Sequence, residues 1–190
     1  MAKSDTYHKV HIDELLRELE KAQEQNPDPD TGVKLYPAAT LGEITQFESM
    51  AGKLPDDYRS FLLYSNGANV FGVTLNNISD LERTPFIYMH GEKSREAMDV
   101  YAIAHWDTGD QILLNLKAPA GAKDPNRRDI IDRFHESDEC RVIAKSFGEF
   151  LYRIIEGSKI QDETFDNALY WLNGEFKPYR ELQVEEFNDD

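Results

Sequence analysis

The sequence predicts an α+β protein, in which helices pack on a mainly antiparallel sheet. Helical periodicity is clearest in the first third of the chain and in one segment near residue 150, while β-rich runs fill the middle. Elements in separate runs, without β–α alternation, favour an antiparallel sheet. We expect one domain over residues 1–190, with N-terminal helices and a C-terminal helix flanking a central sheet.

The first two helices follow from apolar spacing and from capping residues. Apolar side chains at helical intervals predict a helix at Ile12–Gln25, which the prolines and glycine of "NPDPDTG" then end. Thr40 and Glu43 have the spacing of a capping box at the start of a second helix. Gly52 supplies its stop, because glycine adopts the left-handed backbone of a helix end.

Two further helices carry equally clear boundaries. In "LPDDYRSFLLYSNGA", the proline and two aspartates suit a first turn, and the final Asn-Gly suits a helix end. In "KSFGEFLYRIIEG", Ser146 and Glu149 repeat the capping-box spacing before a continuous apolar stripe. The second of these is the predicted C-terminal helix of the core.

Strands are predicted between the third and fourth helices, where β-branched and aromatic residues are frequent. The segments are Val70–Leu75, Asp99–Trp106, Gln111–Leu116, Asp129–Glu136 and Arg141–Ala144. Residues 80–98 show no clear pattern. After the fourth helix we expect a short helix at Phe165–Leu172 and then an acidic C-terminal segment.

The stretch "HWDTGDQ" contains Asp107-Thr108-Gly109, the tripeptide that carries the catalytic carboxylate of aspartic proteases. Such a protease needs two carboxylates that share one proton, so a single copy would require a dimer. Asp110 would place another negative charge beside that pair and disturb the shared proton. Since Asp, Thr and Gly are also common in turns, we predict a hairpin turn between two strands.

Other motifs of catalysis or cofactor binding are absent from the sequence. The five histidines lack metal-ligand spacing, and Cys140 is the only cysteine, so no intrachain disulfide can form. There is no phosphate-binding loop, dinucleotide fingerprint or nucleophile elbow. We predict no catalytic residues, no metal site and no cofactor.

Net charge limits the class of partner. The chain has 36 acidic and 21 basic side chains, a net charge of −15, and nine of the acids lie in the last thirty residues. An acidic surface repels nucleic acids and anionic membranes and favours a basic protein partner. With one cysteine and no signal-peptide pattern, we expect a cytoplasmic location.

Three segments together resemble the SUKH superfamily, the Smi/Knr-like proteins. They are "LPDDYRSFLLYSNGA", "IAHWDTGDQILLNL" and "VIAKSFGEFLYRIIEG". The resemblance covers a core of about residues 40–157, with an N-terminal helix and an acidic C-terminal segment as extensions. It implies an α+β fold without enzymatic activity. Many bacterial members look like immunity proteins that bind and neutralise a toxin, often a nuclease or deaminase, and such toxins are frequently basic.

The resemblance leads to two hypotheses about function. In the first, the chain neutralises a cognate toxin by stoichiometric binding, and Trp106, Asp107, Asp110 and Asp132 are candidate contacts for that protein partner. The alternative for these residues is that Trp106 belongs to the core and the three aspartates lie in turns and at strand ends. In the second, the chain is a regulatory or scaffolding module with an intracellular protein partner. The sequence makes no prediction of oligomeric state.

Overall fold

A computed structural model describes residues 10–89, 95–106, 108–134, 139–159 and 179–185. Within these residues the chain forms four α-helices and a short 3₁₀ helix. The α-helices are α1 (Ile12–Gln25), α2 (Leu41–Ala51), α3 (Asp56–Tyr64) and α4 (Phe147–Ser158), and the 3₁₀ helix is Ile78–Asp80. None of these helices has the length and apolar character needed to cross a membrane.

The described residues also form nine strands, and every pairing between them is antiparallel. The strands are β1 (Val33–Leu35), β2 (Ala68–Val70), β3 (Val73–Leu75), β4 (Glu82–Met89), β5 (Arg95–Trp106), β6 (Gln111–Asn115), β7 (Ile130–Arg133), β8 (Glu139–Ala144) and β9 (Arg180–Glu185). Their order is β1-β2-β3-β5-β4-β9-β8-β7-β6, and β6 also pairs with β5. Strands β4 to β9 therefore form a closed ring. The predicted α+β class is confirmed.

Two apolar cores lie on opposite faces of the sheet. The larger is between the sheet and the four helices, and the smaller consists of Val100, Ala102, Leu113, Ile131, Cys140 and Val142. Neighbours such as Leu113 and Leu114 point to different faces and are both buried. Burial on both faces explains why Val100–Ala104 of β5 and Ile112–Leu114 of β6 are continuous apolar runs without the alternation of a half-exposed strand.

Side-chain caps lie at the starts of α2 and α4, at the positions that the sequence predicts. The Glu43 amide donates to Thr40 Oγ1 at 3.2 Å, and the Thr40 amide donates to Glu43 Oε2 at 2.7 Å, which completes a capping box. In α4 the Glu149 amide donates to Ser146 Oγ at 3.0 Å, but the Glu149 carboxylate accepts from the amide of Lys145 instead. The cap of α4 therefore has one of the two hydrogen bonds of a capping box.

The start of α3 is joined to the start of α4 through Asp57. Its buried carboxylate accepts from the amides of Tyr58 and Gly148, each at 2.8 Å. The ring of Phe147 lies 4.7 Å from that of Tyr58 and 5.1 Å from that of Phe61, centroid to centroid. We call these five residues the α3–α4 junction. Burial raises the pKa of Asp57 to about 6, against the lowering effect of the two amides.

The structure differs from the sequence prediction in two segments. The strand expected at Val70–Leu75 is wrong: the chain forms β2 and β3, because Phe71 and Gly72 both have positive φ and reverse its direction. Within the C-terminal segment expected to be an acidic extension, Arg180–Glu185 forms β9, next to Tyr179. The helix expected at Phe165–Leu172 lies outside the described residues.

Tyr179 connects β9 to α4. Its hydroxyl donates to Glu149 Oε1, which also accepts from Arg153 Nη2 at 2.9 Å. The Arg153 guanidinium lies 4.8 Å from the centre of the Tyr179 ring, within the range of a cation–π contact. This link joins the end of the chain to the core that the helices cover.

Candidate partner-binding surface

The predicted hairpin turn connects β5 to β6. His105 pairs with Gln111 across the two strands, and the Gly109 amide donates to the Trp106 carbonyl at 3.0 Å. Gly109 has a φ of 94°, in the left-handed region that glycine adopts without strain. The prediction of a turn at the Asp-Thr-Gly tripeptide is confirmed, and Asp107 itself lies outside the described residues.

The other three predicted contact residues are almost completely buried. Exposed fractions are 3% for Trp106, 7% for Asp110 and 6% for Asp132. Trp106 Nε1 donates to Asp132 Oδ1 at 3.1 Å, and Thr108 Oγ1 donates to Asp110 Oδ2 at 3.1 Å. These bonds hold the turn and join β5 to β7. A direct contact of these side chains with a partner stays a prediction.

A row of polar residues crosses the face of the sheet opposite the helices. Register aligns Lys34, Asn69, Thr74, His105, Gln111 and Arg133 on six successive strands, and none of the six is buried. Several bond to one another, as in the 3.1 Å contact of Asn69 Nδ2 with Thr74 Oγ1. This end of the sheet is therefore open to solvent, while the smaller core fills the other end.

A cleft opens between α2 and the segment that leads from the 3₁₀ helix into β4. We call it the α2 cleft. It has an apolar compartment of about 330 Å³ and a polar compartment of about 720 Å³, and Glu43 and Ser79 line both. The walls of the apolar compartment include Gln46, Phe47, Met50, Ile78, Leu81 and Tyr101. The polar walls include Tyr36, Asn66, Asn76, Asn77, Asp80 and His105.

Helical spacing on α2 builds one wall of the apolar compartment. Glu43, Gln46, Phe47 and Met50 follow the intervals that bring residues to one face of a helix. The Phe47 ring meets the Tyr101 ring edge-to-face, with centroids 5.3 Å apart, and the two rings form the floor. Met50 stands at the rim with 75% of its surface exposed.

Asparagine side chains hold the opposite wall in place. Asn66 Oδ1 accepts from the Ile78 amide at 2.8 Å, and Asn76 Nδ2 donates to the Ala102 carbonyl at 3.1 Å. Asn77 Oδ1 accepts from the Ser79 amide at 3.0 Å and caps the 3₁₀ helix. The wall is thus fixed by hydrogen bonds to its backbone, and Ser79 is left exposed at the junction of the compartments.

Carboxylates dominate the charges of the cleft. The amide and hydroxyl of Thr40 hold the pKa of Glu43 below its usual value, so Glu43 stays ionised. Asp80 is exposed and accepts from Asn77 Nδ2 at 2.5 Å. Arg83 is the one Lys or Arg among the described lining residues, and it forms a 2.6 Å ion pair with Asp99. Two carboxylates are left without a cationic side chain among the lining residues.

Comparison with known families identifies the chain. A family model described as SMI1/KNR4 family (SUKH-1) matches residues 38–153, which is 116 of the 190 residues. The chain belongs to the SMI1/KNR4 family. No curated protein matches it. The SUKH-1 match includes α2, α3, the hairpin turn and most of α4, and it leaves α1, β1 and β9 outside.

Sequence reasoning located the hairpin turn and missed the cleft. Met50 and Tyr101 are 51 positions apart and belong to a helix and a strand, so no local pattern connects them. One weak signal exists in the sequence: Met50 continues the helical spacing of Glu43, Gln46 and Phe47. Only the packing of α2 against β5 shows that this face borders a cleft.

Proposed function

We propose that this SUKH-1 protein is a non-enzymatic binding protein that neutralises a cognate bacterial toxin by stoichiometric binding. Membership of the SMI1/KNR4 family is the observation that carries the proposal. The resemblance of three segments to immunity-type members supports the same role. Inhibition would come from covering the toxin's working surface and would involve no turnover.

Charge supports a basic toxin as the partner. The net charge of −15 creates a field that attracts cationic proteins and raises their rate of encounter. Toxins that cleave or modify nucleic acids need a positive surface to hold phosphates. An acidic protein can cover such a surface, and it does not itself compete for the nucleic acid.

The titratable groups of the described residues include no arrangement for a metal ion, and one buried carboxyl group has a packing role. No group of three or more His, Cys, Asp or Glu in the described ranges is arranged to hold a metal ion. The carboxyl group with a markedly raised pKa, Asp57, faces backbone amides inside the α3–α4 junction and does not line the α2 cleft. The Asp57 carboxylate stabilises the contact between α3 and α4.

The hairpin turn offers few exposed side chains to a partner among the described residues. Trp106, Asp110 and Asp132 stabilise the end of the sheet from inside, and their contact with the toxin stays a prediction, as does that of Asp107. The described turn residues that are exposed are Thr108 and Gly109. A partner seated on this end of the sheet would meet those two first.

Co-expression with the toxin encoded beside the gene tests the proposal. We expect the full chain to restore growth, and purified protein to inhibit the toxin with an end point at one molecule per toxin. Protection at catalytic, substoichiometric amounts would contradict the proposal. Absence of both binding and protection would favour the alternative, a regulatory module with an intracellular protein partner.

A further inference from the structure

The α2 cleft has two apolar features that suit a binding surface, one at its floor and one at its rim. Its floor is apolar and aromatic, and its rim carries an exposed apolar side chain, Met50. Two of the four large apolar side chains exposed on the described surface, Met50 and Tyr36, line its two compartments. Exposed apolar area that is concentrated at one concave place indicates a binding surface.

The size of the apolar compartment suits an anchoring side chain. A volume of about 330 Å³ lies at the lower end of the range for ligand-binding clefts. Strong protein interfaces commonly insert one large apolar or aromatic residue into such a pocket. The edge-to-face pair of Phe47 and Tyr101 offers an aromatic floor against which that residue can pack.

The charges beside the compartment decide the chemistry of the occupant. Glu43 and Asp80 are both exposed near the point where the two compartments meet. Arg83, which also lines the apolar compartment, forms an ion pair with Asp99. An acidic segment would place like charges side by side and be repelled, whereas a basic segment would be attracted.

We propose that the α2 cleft is the binding surface for a basic segment of the toxin that inserts one large apolar side chain. This inference rests on the proposed function and adds the location and the chemistry of the contact. The apolar anchor fills the compartment above Phe47 and Tyr101. Flanking lysine or arginine side chains pair with Glu43 and Asp80.

A variant of the cleft and a matched control separate local from global charge effects. Gln46→Lys with Met50→Lys changes the net charge from −15 to −13 and places two cations on the cleft wall. Glu24→Lys makes the same change of net charge at an exposed position on α1, outside the cleft. Both changes affect exposed side chains, so both variants should fold.

The probe is a synthetic peptide of lysine and glycine with one central tryptophan, titrated into the ¹⁵N-labelled full chain. We expect saturable shifts of amide resonances within residues 43–51 and 78–83. The cleft variant should raise the dissociation constant about tenfold or more, because like charges meet. The Glu24→Lys control should change it by less than about threefold, as expected for a distant surface charge.

Two altered peptides test the chemistry of the occupant. Replacing lysine by glutamate, or tryptophan by glycine, should abolish saturable binding. The inference is overturned if the shifts map elsewhere, if no saturable binding occurs, or if cleft and control variants weaken binding equally. It is also overturned if the cleft variant protects against the toxin as well as the wild type does. Failure of the wild type to protect, with peptide shifts still in the cleft, would refute the proposed function alone.

Discussion

The α3–α4 junction and the α2 cleft contain similar residues, but only the cleft borders an open volume. Each region combines a pair of aromatic rings with a nearby carboxylate. In the junction these are Tyr58 and Phe147 with Asp57. In the cleft they are Phe47 and Tyr101 with Glu43. In the junction the rings and the carboxylate are all buried. In the cleft the carboxylate faces solvent and the aromatic floor borders an open volume.

We expect the α3–α4 junction to stabilise the folded chain and the exposed wall of the α2 cleft to bind a partner. Buried rings that pack on one another stabilise the folded chain, and a buried carboxylate is tolerated there because two amides donate to it. Phe47 and Tyr101 also belong to the core, at 8% exposure each, but Gln46 and Met50 on the cleft wall are exposed and contribute less to folding. They are correspondingly free to gain contacts from a partner. Substitutions in the two regions should therefore affect different measurements.

The largest expected effect is on the junction. Phe147→Ala should reduce the free energy of unfolding by about 3–5 kcal/mol, because Phe147 is fully buried against Tyr58 and Phe61. Urea denaturation followed by circular dichroism measures the loss. If the alanine variant does not fold, Phe147→Leu provides a milder test. A loss below about 1 kcal/mol for alanine would contradict the assigned packing.

A smaller effect should appear in the pH dependence of stability. The pKa of Asp57 is about 6 in the folded chain and 3.8 without the fold, so the folded state binds the proton more tightly. Stability from this group is fully present below pH 3.8 and is lost as the pH rises through 6. The shift is equivalent to at most about 3 kcal/mol.

Comparison with Asp57→Asn isolates this contribution, since the other titrating groups are common to both proteins. Urea denaturation from pH 4 to pH 7 should show wild type gaining stability relative to the variant as the pH falls. A difference between the two proteins that does not change with pH would show that Asp57 titrates normally. The overall stability of either protein includes its other carboxylates and is not the test.

The smallest expected effect is on the cleft. Gln46→Lys with Met50→Lys should change the free energy of unfolding by less than about 0.5 kcal/mol, because both side chains are exposed. Thermal denaturation beside Glu24→Lys measures it. A loss comparable with that of Phe147→Ala would show that the cleft wall is part of the core and would remove the contrast between the two regions.

Most of the helical structure was predictable, because its signals are local. Apolar spacing placed α1 at Ile12–Gln25, as observed, and the Thr40–Glu43 capping box starts α2. The hairpin turn at Thr108–Gly109 was predictable for the same reason. The sequence did not predict the turn at Phe71–Gly72, since Phe seldom adopts positive φ and no Asn-Gly pair marks the reversal.

The candidate contacts show where prediction from the sequence ends. Trp106 and Asp132 stand out in the sequence as an aromatic and a charged residue near a turn, and the structure buries both in one hydrogen bond across 26 positions. Met50 does not stand out in the sequence but is exposed beside a cleft. Exposure depends on which elements pack together, and composition does not contain that information.

The sequence by itself determined the α+β class, the helix boundaries, the acidic charge and the resemblance to the SMI1/KNR4 family. Each of these depends on neighbouring residues or on their sum. Only the tertiary structure decided the strand order, the closing of β4 to β9 into a ring and the opening of the α2 cleft. Those features depend on pairings between residues far apart in the chain, whose register is set by burial on both faces of the sheet.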